Sequence, residues 1–197
     1  SMKKFRPIAA ALVLLLLAGC LTSCGIVKVI PKGTEGDYTG VVEFDAGAEA
    51  AGDWDAVQED VVGQAQDLSG LLSAGTENGT AYSVSFTGTV EEYNTDSPKG
   101  YLLVSVDGVS EEIHVQVGEV FSGTTVRDCQ TLKGYEDFTN QTEWSAYAKT
   151  LNDEVMTNVV EPLGDLNALV GSTVEVVGCF TPASGEIVVT PVSLTVQ

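Results

Sequence analysis

The chain has 197 residues, of which 28 are acidic and nine are basic, and its formal net charge is −19 at pH 7. Binding of DNA or RNA needs basic groups that displace counterions, so this charge argues against nucleic acid as a partner and against an electrostatic hold on anionic lipid. The length is sufficient for one domain with its own hydrophobic core. The acidic residues predict a solubilising surface, because the spaced Asp and Asn ligands and the turn glycine of a calcium loop are missing.

The first 24 residues have the pattern of a bacterial lipoprotein signal peptide. Three basic residues precede an apolar run from Ile8 to Ala18, which is shorter than the roughly 20 residues that a membrane-spanning helix needs. Two lipobox-like tetrads follow, and they end at Cys20 and Cys24. We therefore expect cleavage before one of these cysteines, which would carry the lipid that anchors the protein on the outer side of the cell membrane.

Residues 25–40 are rich in Gly, Pro, Lys and Thr and are predicted to form a tether. A single globular domain is expected at residues 41–197, with a helical part at residues 41–80. Apolar residues between Trp54 and Leu72 recur there at three- and four-residue steps, which is typical of an amphipathic helix. Trp54 is interpreted as an anchor of the core, and either Asp45 or Asp53 is expected to cap the helix.

Alternating apolar and polar residues predict β-strands in the rest of the chain. Five strands are expected, at Tyr82–Val90, Tyr101–Val106, Ile113–Val117, Thr173–Thr181 and Ile187–Val196. A helix between the third and fourth strands is predicted to begin after Asn140, with Glu143 completing a capping box. The expected fold class is α+β: a five-stranded barrel of the oligonucleotide/oligosaccharide-binding (OB) type at residues 81–197, with this inserted helix and an N-terminal helical subdomain. Gly88 and Gly178 lie inside strands, where a small barrel needs sharp coiling.

The densest polar cluster runs from the loop after the third strand into the second helix. Its candidate ligand-binding residues are Thr124, Arg127, Asp128, Asn140, Gln141 and Asn152. A guanidinium beside a carboxylate suits a fixed ion pair, or a bidentate hold on a carboxylate or on sugar hydroxyls. The alternative is structural: Arg127 ties the loop to one end of the barrel, and Asn140 caps the helix.

Catalytic motifs are missing from the sequence. His114 is the only histidine, and no nucleophile or orienting acid is recognisable for it, so we interpret it as an ordinary strand residue. GxSxG, HExxH, Walker and GxGxxG motifs do not occur, and the sequence indicates neither a catalytic metal nor a cofactor. A glycan hydrolase that uses paired acids stays the less favoured alternative.

Cys129 and Cys179 lie far apart in the sequence, in a compartment that permits disulfides. We predict a disulfide between them, with two buried free thiols as the alternative. No CxxC motif and no Cys/His cluster indicate zinc.

The chain resembles a family of predicted periplasmic lipoproteins of unknown function that are often encoded beside ribose-type sugar ABC importers. The motifs that carry the resemblance are Gly123-Thr124-x-x-Arg127-Asp128, Asp137-Phe138-x-Asn140-Gln141 and Leu151-Asn152, supported by Tyr38-Thr39-Gly40, Phe44-Asp45, Val117-Gly118 and Thr190-Pro191-Val192. Since the family tends to begin its mature chain near Ile26, the resemblance favours Cys24 over Cys20 as the lipidated residue. Small residues are usual in the family where this chain has Cys129 and Cys179, which is consistent with a disulfide particular to this chain.

The resemblance implies an envelope lipoprotein with a suspected link to sugar uptake and no established catalysis. We therefore expect a non-catalytic accessory or binding protein, anchored in the membrane by lipid, whose partners are a small sugar or the components of a sugar ABC importer. The alternative is a structural or adaptor lipoprotein that has no small-molecule ligand.

Overall fold

Five β-strands close into a barrel, and helices pack against it. The computed structural model describes residues 43–197. The helices are α1 (Ala46–Gln64), α2 (Leu68–Ala74), α3 (Thr125–Cys129) and α4 (Gln141–Val155), and the strands are β1 (Gln66–Asp67), β2 (Tyr82–Asn94), β3 (Tyr101–Ser105), β4 (Ile113–Gln116), β5 (Thr173–Phe180) and β6 (Ile187–Val196). The predicted signal peptide, both candidate lipidation sites and the predicted tether lie outside the described residues.

The barrel is of the OB type that was predicted. Strands follow one another as β2-β3-β4-β6-β5, and pairing between β5 and β2 closes the sheet. Only the β4–β6 pair of these is parallel. This is the OB topology, in which the helix between the third and fourth barrel strands allows the fifth strand to join the third.

Two glycines permit the close approach of barrel strands. A Cβ on Gly178 would lie 2.6 Å from both Thr190 O and Val189 Cγ1, and one on Gly88 would lie 2.6 Å from Val104 Cγ1. Gly178 also adjoins a β-bulge, since the pairing of β5 with β6 shifts register between Val177 and Gly178. The expected coiling at these two glycines therefore has a steric basis: the neighbouring strand occupies the position of a side chain.

The N-terminal helix is shorter than the sequence predicts. Asp45 caps α1, because its Oδ1 accepts a hydrogen bond of 3.0 Å from Ala48 N. The helix ends at Gln64 rather than continuing to Leu72, because Gln66 and Asp67 pair in parallel with β2. Asp67 then caps α2, where its Oδ2 accepts from Gly70 N at 2.9 Å. A short edge strand thus interrupts a periodicity that by itself predicts one continuous helix.

The barrel interior and the inner faces of the helices share one hydrophobic core. Trp54, Val57 and Val61 of α1 are buried in it, as are Tyr147 and Leu151 of α4. The expected role of Trp54 as a core anchor is confirmed, since only 4% of this residue is exposed. The packing joins α1 to α4, and Tyr147 Oη donates a hydrogen bond of 2.8 Å to Asp53 of α1.

The close approach of the strands at Gly178 predicts that a side chain at this position destabilises the protein. Gly178→Ala is expected to lower the free energy of unfolding by about 1–3 kcal/mol, because an overpacked site forces the strands apart. Gly52→Ala is the control: on the exposed side of α1 a Cβ meets nothing within 4 Å, and the loss of backbone entropy in the unfolded state should stabilise the protein by about 0.5–1 kcal/mol. Urea denaturation measures both changes. A Gly178→Ala variant as stable as the wild type would contradict the packing described.

Candidate functional site

Arg127 and Asp128 form a closed ion pair at the surface of α3. Arg127 Nε and Nη2 donate to Asp128 Oδ1 at 2.9 and 2.7 Å, and Nη1 donates to the backbone oxygen of Trp144 at 3.2 Å. The guanidinium carbon lies 4.3 Å from the centroid of the Trp144 ring. This stacking on α4, together with the hydrogen bonds, connects α3 to α4.

Thr124 completes this cluster. Its Oγ1 donates a hydrogen bond of 2.5 Å to the second carboxylate oxygen of Asp128. Three of the six predicted site residues, Thr124, Arg127 and Asp128, therefore meet in one network. The short helix α3 brings them together inside a segment that the sequence indicates only as a loop.

Asn140 and Gln141 lie at the beginning of α4. Asn140 Oδ1 accepts a hydrogen bond of 3.0 Å from Glu143 N, which confirms the predicted N-cap. Glu143 accepts from the backbone of Thr139 at 2.8 Å, one residue before the position that a capping box predicts. Gln141 is exposed and donates to Ser145 Oγ at 3.2 Å. Both predicted site residues thus organise or extend the helix start.

Asn152 lies far along α4 from these two residues. Gln141 and Asn152 are separated by eleven residues, which is about 16 Å along an α-helix. Asn152 is 8% exposed, and its Nδ2 donates a hydrogen bond of 3.1 Å to Gly123 O. The structure therefore distributes the six predicted residues over three places: the α3 cluster, the start of α4, and the Asn152 end of α4.

A cleft of about 340 Å³ opens beside Asn152. We call it the Asn152 cleft; its lining residues are Glu119, Val120, Phe121, Lys149, Asn152, Asp153, Met156 and Thr157. One wall is α4 and its continuation into a π-helical turn at Met156–Val160, and the other is the segment after β4. Such wide turns occur often at functional sites. Arg127 is not among the lining residues.

Several residues of this cleft follow from helical spacing. Lys149, Asn152, Asp153 and Met156 lie at steps of three, four and seven residues, so they share one face of α4. Lys149 Nζ and Asp153 Oδ2 form an ion pair of 3.1 Å at the cleft rim. Helical spacing from Asn152, which was already a candidate, could therefore have identified the other three residues from the sequence.

The second wall is held by a glutamine that the strand pattern alone does not mark. Gln116 Oε1 accepts from Ser122 N at 2.8 Å, and its Nε2 donates to Thr190 Oγ1 at 2.8 Å. Alternation along β4 places Gln116 outside the barrel, yet the following segment folds over it, and it is 4% exposed. These hydrogen bonds fix the segment that carries Phe121.

Comparison with known proteins agrees with this architecture. Residues 10–195 match the model of a family described as "Predicted periplasmic lipoprotein (DUF2291)". The chain belongs to this family. The lipoprotein is accordingly extracytoplasmic and anchored by lipid. Within residues 43–197, no helix has both the length and the apolar character required to cross a bilayer.

A solved structure shows the same fold. The lipoprotein is similar to an OB-fold protein from Thermotoga maritima, with a TM-score of 0.64 and 21% sequence identity. The match covers 79% of this chain and 100% of that one. It supports the OB fold and, at this identity, nothing about the ligand. Among curated proteins no relative matches.

The predicted disulfide between Cys129 and Cys179 is wrong for this structure. Both residues are free cysteines, and both are buried. The two thiols are neighbours in the core: the Cys179 thiol lowers the pKa of Cys129, whereas the Cys129 thiol and burial raise the pKa of Cys179. An oxidising compartment permits a disulfide but does not require one, and the two sulfurs are unbonded in this structure. The two side chains serve instead as small apolar core groups.

His114 has neighbours that are consistent with its interpretation as a strand residue. It lies in β4, its ring stacks on Tyr101 with centroids 3.8 Å apart, and its Nε2 is 3.0 Å from Glu112 Oε2. Burial raises the pKa of Tyr101, and nearby carboxylates, first among them Glu92, raise it further.

Lys133 is the cation of a network that fastens the loop before α4. It forms ion pairs with Glu49 and Asp53 of α1, and Asp53 accepts the hydrogen bond from Tyr147. Although burial alone would lower the pKa of Lys133, the hydrogen bonds to Asp53 and Glu49 raise it. Burial raises the pKa of Tyr147, and its hydrogen bond to Asp53 raises it further. Folding therefore favours the protonated form of both Lys133 and Tyr147.

This network predicts a loss of stability in alkali. Both groups keep protons in the folded state that the unfolded chain releases above a pH of about 10, so the free energy of unfolding should fall as the pH rises beyond that value. Tyr147→Phe has no phenol to ionise, and its stability should fall less steeply over the same range. Urea denaturation at a series of pH values measures both slopes. Equal slopes for wild type and variant would contradict the assignment to Tyr147.

Thiol labelling tests whether Cys129 and Cys179 are free. When the protein is unfolded without reductant, Cys129 and Cys179 should both react with a thiol-specific reagent, because the structure holds both as free thiols. Peptide mass spectrometry identifies the labelled positions. If both cysteines stay unlabelled and become reactive only after reduction, the result would support a disulfide between them.

Proposed function

We propose that this lipoprotein is a non-catalytic accessory protein of a sugar importer and that it binds a small sugar in the Asn152 cleft. The cleft itself is the observation that carries the proposal. Its volume of about 340 Å³ lies within the range of sites that hold small molecules. The importer link rests on the family resemblance, and the ligand class rests on the lining of the cleft.

The lining residues offer the mixture that a polyhydroxylated ligand needs. Phe121 and Met156 supply apolar surface, while Asn152, Lys149 and Thr157 supply an amide, an ammonium and a hydroxyl. The amide and the hydroxyl donate and accept hydrogen bonds and the ammonium donates them, which fits sugar hydroxyls.

The walls of the cleft are held in place before any ligand arrives. The Asn152 amide is fixed on Gly123, and the Gln116 amide is fixed on Ser122. A site organised in this way loses little conformational entropy on binding. We assign Arg127 and its hydrogen-bonded partners a positioning role, because they hold the helix that begins next to Gly123.

Binding is tested by thermal shift and calorimetry on the purified lipoprotein in detergent, with pentoses, hexoses and nucleosides. For a sugar that binds, Asn152→Ala and Lys149→Ala should each weaken affinity by about tenfold, equivalent to about 1.4 kcal/mol. Lys99→Ala, an exposed lysine outside the cleft lining, is the matched control and should leave affinity unchanged. A larger loss in Arg127→Ala than in Asn152→Ala would place the site at the α3 cluster instead.

A second candidate function, a protein adaptor, is favoured by the loop before α4. Leu132 and Tyr135 are each 50% exposed, in a loop that Gln130 organises by three hydrogen bonds to the loop backbone and one to Arg127 O of α3. Rigidly held apolar side chains of this kind are typical of protein interfaces. Co-purification of a permease or a sugar-binding protein, without any sugar-dependent thermal shift, would favour the adaptor, with exposed Gln141 at the start of α4 as a predicted contact.

The alternative enzymatic function is that of a glycan hydrolase. Glu119 and Asp153 both line the Asn152 cleft, and glycosidases use a pair of carboxylates across the scissile bond. Release of reducing ends from cell-wall glycan by the wild type, abolished in Glu119→Gln, would overturn the non-catalytic proposal.

A further inference from the structure

We infer that the ligand is a neutral or amine-bearing oligosaccharide, which lies along a groove formed by the Asn152 cleft and a second cleft beside it. This inference rests on the proposed function and names its ligand class. The second cleft has a volume of about 360 Å³. It is lined by Tyr93, Thr95, Asp96, Ser97, Pro98, Gly100, Gly118 and Glu119.

Glu119 lines both clefts, so they adjoin on the two sides of this residue. Together they run from α4, across the segment after β4, to the loop between β2 and β3. A ligand that contacts both must therefore extend past Glu119, which a chain of two or more rings does.

The floor beneath the second cleft is backbone that cannot move easily. Gly118 N donates to Gly100 O at 2.8 Å, and Val120 N donates to Pro98 O at 3.0 Å. A Cβ on Gly118 would collide with the backbone of Gly100. The absence of side chains at both glycines lets these two backbone segments pack directly against each other, and the hydrogen bonds between them keep the shape of this part of the groove.

The charges along the groove select against anionic ligands. Three carboxylates line it, on Asp96, Glu119 and Asp153, and its one lysine, Lys149, is already paired with Asp153. A phosphorylated or uronic sugar would add like charge to this surface, whereas hydroxyl and ammonium groups donate hydrogen bonds to carboxylates.

The arrangement favours sugar over peptide. Partly buried aromatic side chains line the two clefts, Tyr93 in one and Phe121 in the other, and they offer apolar faces to successive rings. An extended peptide usually binds by adding a strand to an open sheet edge. Strands β3 and β4, which flank the second cleft, are paired on both sides in the closed barrel.

The test compares ligands by length and charge, with the lipoprotein in detergent and affinities measured by calorimetry. Glucose, maltotriose, chitosan trimer, trigalacturonate and trilysine are the probes. A neutral or amino trisaccharide should bind at least about tenfold more tightly than glucose, and trigalacturonate should bind most weakly of the sugars. Equal affinity for glucose and both trisaccharides would overturn the inference while leaving the proposed function intact. Tighter binding of trilysine or trigalacturonate would also overturn it, and no binding of any sugar would overturn both.

Variants locate the second half of the groove. Tyr93→Leu keeps an apolar side chain but removes the ring, so this variant should bind the trisaccharide no more tightly than it binds glucose. Glu119→Gln, at an exposed position that does not endanger folding, should weaken trisaccharide binding by about tenfold. Tyr135→Leu is the matched control outside the groove, and circular dichroism verifies the fold of each variant. Unchanged trisaccharide affinity in both groove variants would contradict the inference.

Discussion

The closure of β2 onto β5 is the constraint on which the rest of this structure depends. The two strands pair at every position from Tyr82 with Phe180 to Thr89 with Thr173, and this pairing turns a sheet into a barrel without open edges among its long strands. The interior of the barrel then requires a cover at its end. Helices α1 and α4 supply that cover, and their inner faces merge with the barrel interior into one core.

The position of α4 over the barrel end in turn constrains the connection between β4 and α4. Much of this segment lies outside helices and strands, so its backbone polar groups need partners from side chains. Gln116 and Gln130 are the main ones, buried at 4% and 5% exposure. Arg127 attaches the segment to α4 by a hydrogen bond to Trp144 O and by stacking on the Trp144 ring, and Lys133 attaches it to α1 by an ion pair with Asp53. The clefts lie along the part of this connection that Gln116 fixes.

Much of the fold was predictable because periodicity is a local property. Strands β3, β4 and β6 begin where alternation begins, the N-cap Asn140 was recognisable from residue type and position, and Asp45 was one of two candidate caps for the first helix. The interruption of the first helix was not predictable in this way. Pairing of Gln66 and Asp67 with β2 competes with helix formation, and a local pattern contains no information about a partner strand that follows later in the chain.

The amino-acid sequence by itself determined the barrel topology, the acidic surface and the family of this lipoprotein, because these follow from the order of periodic segments and from composition. Tertiary structure alone decided the site. It divided six polar candidates among three places, showed Arg127 closed on Asp128 and Trp144, left Cys129 and Cys179 unbonded, and joined Asn152 to residues of the segment after β4. Clefts and side-chain partners depend on distances between residues remote in sequence, and those distances exist only after the chain has folded.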